Sequence, residues 1–107
     1  MPKFMYSGSY TAEGAKGLLA DGGTNRRDEA KKMVESMGGS LEAYYWCYGS
    51  TDFMCIVDVP SSEVMSKFAL QIGASGMFSG NLTPLITVEE MDKITGASVE
   101  DFRYPGQ

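Results

Sequence analysis

The chain has 107 residues, 43% of them hydrophobic and 21% charged, which is the balance of one ordinary globular domain. Its formal net charge of −5 argues against nucleic acid and anionic membranes as partners, because an acidic surface repels phosphate groups. Histidine is absent, which removes Ser-His-Asp and Cys-His nucleophiles and the usual zinc, non-haem iron and haem sites.

The opening MPKFMYSGSY has no apolar signal core, and no stretch approaches the ~20 apolar residues of a membrane span, so cytoplasmic residence is expected. Residues 3–10 read as a first strand, in which Gly8 marks a bulge or a close backbone approach. Thr11 suits the N-cap of a short helical segment through Asp21, ended by Gly22-Gly23. Thr24 then caps a helix over 25–37, with Ala30, Met33, Val34 and Met37 as one apolar stripe and Gly38-Gly39 as its stop. Two β-rich runs, 41–48 and 52–59, flank Gly49-Ser50 and read as a hairpin. Ser61 or Ser62 caps a helix over 62–72, with Val64, Met65, Phe68, Ala69 and Ile72 on one face. A last strand over 78–86 contains Pro84, which donates no ladder bond and so fits an edge strand or a bulge. Thr87 and Glu90 form a capping box for a short helix through Ile94.

The order βαββαβ predicts an α+β ferredoxin-like domain over residues 1–95, followed by a C-terminal arm over 96–107. Right-handed crossovers place both helices on one face of a four-stranded antiparallel sheet. Cys47 and Cys55 make no metal or redox motif and fall too far apart along the hairpin for a disulfide, so both are expected as thiols.

Strict alternation along the hairpin assigns its faces. On the second strand, Phe53, Cys55, Val57 and Val59 face the helices, and Asp52, Met54, Ile56 and Asp58 face away. On the first, Leu41, Ala43, Tyr45 and Cys47 share one parity, and Glu42, Tyr44, Trp46 and Tyr48 the other. With helices on one side only, Tyr44, Trp46, Met54 and Ile56 are expected as one apolar patch, covered by a second copy of the sheet about a two-fold axis.

The stretches GSYTAEGAKGLL, GGTNRRDEAKKMVESMGGSLEAYYWCYG, DFMCIVDVP and LTPLITVEEMD, spread over most of the chain, resemble the GYD-domain family within the dimeric α/β-barrel group. The resemblance implies a ferredoxin-like fold and a homodimer, and implies no established activity. Where the family has its Gly-Tyr-Asp motif, this chain reads Gly49-Ser50-Thr51-Asp52, so Thr51 stands in place of the aromatic residue.

The candidate ligand-binding residues are Tyr10, Arg26, Tyr44, Trp46, Asp52, Asn81 and Thr83. Asp52 is the best candidate for a catalytic carboxylate, although turn chemistry beside Gly-Ser-Thr is enough to explain it. Arg26 and Arg27 fit either an anion site or ion pairs with nearby acidic residues. The tyrosines and Trp46 fit either stacking on a planar ligand or a dimer core. Asn81 and Thr83 fit either polar pocket groups or a ladder role. No metal and no cofactor is expected. The reading that follows is a homodimeric small-molecule-binding or accessory protein for an aromatic or carboxylated metabolite. The alternatives are a cofactor-independent enzyme of the monooxygenase or cyclase kind and a structural assembly module.

Overall fold

The computed structural model describes residues 1–98 and 103–106. Its elements run β1 Lys3–Tyr10, α1 Ala12–Ser36, β2 Ser40–Trp46, β3 Phe53–Asp58, α2 Ser62–Ala74, β4 Phe78–Leu85 and α3 Val88–Gly96. The sheet order is β2-β3-β1-β4 with every pairing antiparallel, the arrangement of a ferredoxin-like α+β fold. Among the described residues β4 pairs only with β1, so Pro84 lies on an edge strand as its missing donor requires. The arm expected over 96–107 falls partly outside the described residues.

The core lies between one face of the sheet and the two longer helices. Phe4, Tyr6, Phe53, Cys55 and Val57 from the sheet pack with Val34 of α1 and with Met65 and Phe68 of α2. Each core face of β1 and β3 follows the period of two expected of a strand. Gly8 and Gly80 are register partners on this face. A Cβ on Gly80 would stand 2.5 Å from the Tyr6 hydroxyl oxygen, and one on Gly8 would stand 2.5 Å from the Ser79 carbonyl oxygen. Gly8 therefore serves close approach rather than a bulge, because the β1–β4 register runs unbroken past it.

α1 is a single element with a break. Gly22 adopts φ 78°, ψ 169°, a conformation that favours glycine, and splits the helix near the boundary expected from Gly22-Gly23. Thr11 accepts from the Gly14 N–H and donates to the Gly76 carbonyl oxygen, which ties the start of α1 to the turn before β4. The segment before the break leaves Leu19 exposed, and the segment after it carries Met33, Val34 and Met37 against the sheet. α3 opens with the capping box of Thr87 and Glu90 and buries none of its residues. No helix among the described residues is long and apolar enough to cross a membrane.

The hairpin departs from strict alternation. Leu41 pairs with Val57 but Ala43 pairs with Ile56, so β2 carries an extra residue at this point. Beyond it Tyr44 pairs with Cys55 and Trp46 with Phe53, which turns both rings toward the helices. The shared patch of Tyr44, Trp46, Met54 and Ile56 is thereby split. Met54 and Ile56 stay on the open face, joined there by Ala43 and by Tyr45, which is 64% exposed. Glu42 reaches Lys3 at 3.2 Å on that open face, and Lys3 also pairs with Asp58 at 2.8 Å.

Met65 is fully buried at the centre of this core, so Met65→Ala should destabilise the protein by about 2–5 kcal/mol, read as a lower urea midpoint with an unchanged slope.

Candidate functional site

Every strand contributes an aromatic ring to the helix side of the sheet near the break in α1. Phe53 of β3 is central, with its ring centroid 6.0 Å from Tyr6, 5.2 Å from Tyr10, 6.2 Å from Tyr44 and 5.4 Å from Phe78. Trp46 stands 4.8 Å from Tyr44, and its Nε1 donates to the Tyr10 hydroxyl at 2.9 Å. A Cβ on Gly23 would lie 3.4 Å from the Trp46 ring, so the indole rests against α1 just past its break. Aromatic pairs of this kind add directional stability to the area they bury.

These rings border a cavity of about 590 Å³. Its floor is Tyr6, Tyr44, Phe53, Cys55 and Phe78; its walls are Ala30 and Met33 of α1 and Phe68 and Ile72 of α2; its rim carries Arg26, Glu29, Lys32 and Ser36. Spacing on α1 explains the rim and wall, since Arg26, Glu29, Ala30 and Met33 follow i, i+3, i+4, i+7 on one face. A mostly apolar hollow of this size with a few polar groups at one side is the form of a small-molecule site.

Two ion pairs shape the rim. Lys32 Nζ stands 3.3 Å from Glu29 Oε1, and Arg26 Nη1 stands 3.2 Å from Asp21 Oδ2 across the break at Gly22. The interior groups are held neutral. Burial raises the pKa of the Tyr6 and Tyr44 hydroxyls above their ordinary range. At Tyr44 the neighbouring Tyr10 phenol adds to that effect and the Arg26 charge opposes it. Burial likewise pushes the Cys55 thiol up to about 11 from 9.0, which leaves it a poor nucleophile. Cys47 and Cys55 are both free thiols, and the Cys47 Sγ faces the Thr51 carbonyl oxygen at 3.3 Å. Among the described residues no three His, Cys, Asp or Glu side chains converge as a metal site.

The structure sorts the candidate residues into two groups. Arg26 and Tyr44 line the cavity, and Trp46 and Tyr10 brace its aromatic end. Asp52 is outside the lining: its Oδ2 accepts the Tyr10 N–H at 2.9 Å, while its own N–H donates to the Gly8 carbonyl oxygen. Asn81 and Thr83 pair with Ser7 and Met5, on the open face of the sheet and away from the cavity. Sequence reasoning did not assign Tyr6, Phe53, Cys55, Phe68, Ile72 or Phe78 to a site, because buried core and cavity lining share one apolar signature.

A family model for the GYD domain matches residues 4–95. The chain belongs to the GYD domain family. No curated protein and no solved structure matches it. The GYD match spans the four strands and α3 but for the first residue of β1 and the last of α3, so the cavity of this chain lies wholly within the family's domain.

Removing the Asp52 carboxylate orphans the Tyr10 N–H. Asp52→Ala should cost about 1–3 kcal/mol of stability, whereas Asp52→Asn keeps an acceptor oxygen and should stay near the parent in a urea titration. A second expectation concerns pH. Because the folded Cys55 pKa is raised, its stabilising contribution is fully present below pH 9.0 and is lost as pH rises through about 11. The raised Tyr6 and Tyr44 values act in the same direction. Urea midpoints should therefore fall across that window, and a flat profile would contradict it.

Proposed function

We propose that this GYD-domain protein is a homodimer that binds a small planar, largely apolar molecule in the cavity between its sheet and helices α1 and α2. The observation that carries the reading is the cavity of about 590 Å³, open at one side and floored by Tyr44, Phe53 and Phe78. Rings held in fixed relative orientations present stacking faces at little cost in side-chain entropy. The titratable groups of the interior, Tyr6, Tyr44 and Cys55, are all displaced toward their neutral forms at ordinary pH. A proton-transfer enzyme needs a group poised near neutrality, so these groups suit binding better than turnover.

Dimerisation is supported by the open face. Met54, Ile56, Ala43 and Tyr45 share that side of the hairpin, with Lys3, Glu42 and Asp58 as a charged edge. A second copy of the same face covers such a surface with the fewest assumptions.

Native mass spectrometry of protein purified from its own host tests both parts together. The parent should appear at twice the chain mass with a small molecule bound. Ala30→Trp, which fills the cavity wall, should keep the dimer and lose the molecule. Ile56→Asp, which charges the open face, should give monomers. A parent without ligand, or an Ala30→Trp protein that retains it, would defeat the binding reading. An Ile56→Asp protein that stays dimeric would defeat the proposed interface.

A further inference from the structure

The rim of the cavity carries a charge pattern that its apolar floor does not explain. Three ionisable side chains border it: Arg26, Glu29 and Lys32. Glu29 and Lys32 answer one another at 3.3 Å. Arg26 is then the remaining charge of the lining, a cation at the mouth of a protein whose net charge is −5. Its partner Asp21 is not part of the lining and approaches from the far side of the break in α1, touching Nη1 at 3.2 Å. A guanidinium has five N–H donors in a planar fork, so this contact leaves others to donate. The Arg26 side chain is only 33% exposed, and its charge opposes, as the smallest contribution, the burial that raises the pKa of the Tyr44 hydroxyl in the cavity floor. It therefore faces a region partly shielded from water, where its attraction for an anion is stronger than at an open surface.

We propose that the cavity selects a planar apolar acid, with Arg26 holding a single carboxylate at the rim while the ring system enters among Phe53, Phe78, Phe68 and Ile72. This inference rests on the binding reading above and names the chemical class of its ligand. A carboxylate accepts two parallel N–H bonds from a guanidinium, whereas the corresponding amide offers one oxygen and no charge. Asp21 competes for the same guanidinium, so ligand binding exchanges one carboxylate partner for another or shares the fork between them. Asp21 thus tunes affinity without touching the ligand. Tyr44, beside Tyr10, keeps its proton, so no second charge competes with Arg26 at this end of the floor.

Calorimetry with naphthalene-2-carboxylate and naphthalene-2-carboxamide, two probes of the same shape, tests the proposal on the full chain. The parent should bind the carboxylate roughly five- to tenfold more tightly than the amide, the size expected of one charge-assisted pair discounted for partial exposure. Arg26→Gln should abolish that difference by weakening the carboxylate far more than the amide. Asp21→Asn should widen the difference, because Arg26 loses its competing partner, and should leave the amide unaffected. Equal binding of the two probes by the parent, or a preference that survives Arg26→Gln, would overturn the anion selectivity and leave the cavity reading standing. Failure of both probes to bind would overturn the cavity reading and this inference with it. Arg26→Lys provides the control for folding: it should restore part of the preference lost in Arg26→Gln.

Discussion

The extra residue between Leu41 and Ala43 in β2 decides which side of the sheet carries the aromatic rings. Side chains on a strand alternate faces, so one added residue reverses every position beyond it. Without it Tyr44 and Trp46 would face away from the helices beside Met54 and Ile56, and Ala43 and Tyr45 would face inward. With it the inner side gains the Tyr44 ring against Phe53 and the Trp46 indole against Tyr10. The β2 share of the ring network, Tyr44 and Trp46, depends on that reversal, and so does the part of the cavity floor that Tyr44 forms. The acidic Glu42 at the irregularity remains on the open side, where Lys3 balances it.

A second backbone feature completes the site from above. The positive φ at Gly22 breaks α1, and the segment that follows descends onto the sheet with Ala30, Met33 and Val34 as its contact face. Its first turn past the break brings Gly23 against Trp46 and sets Arg26 at the rim. The Asp21–Arg26 pair spans the break and fixes the relation of the two segments at that point. A half-exposed pair of this kind adds little to stability. Its effect is to orient a guanidinium.

Burial raises the pKa of Tyr6, Tyr44 and Cys55, and each therefore resists ionisation. Charge is confined to the rim. This separation of an aromatic floor from a charged edge lets one site take an apolar body and a polar head without burying an unpaired ion. The opposite side of the sheet shows a similar division, apolar in the middle and charged at the Lys3, Glu42 and Asp58 end.

Local signals in the chain determined the elements and their order. Thr11 and Ser61 cap α1 and α2, Thr87 and Glu90 close a capping box on α3, and Pro84 marks an edge strand. These features act within a few residues of themselves, so they are legible without the fold. The two-residue alternation of Phe53, Cys55 and Val57 likewise declared its core face. What alternation did not declare was the reversal inside β2, because a bulge is set by how β2 seats on β3 and leaves no mark in composition. The role of Asp52 also waited for the tertiary structure, since its partner, the Tyr10 N–H, lies forty-two positions away in the chain. Asn81 and Thr83 were separated from Tyr44 by the sheet itself, whose two faces a linear sequence does not distinguish at an exposed edge strand. Secondary structure followed from neighbours in sequence; the site followed from register and packing, which arise only when distant segments meet.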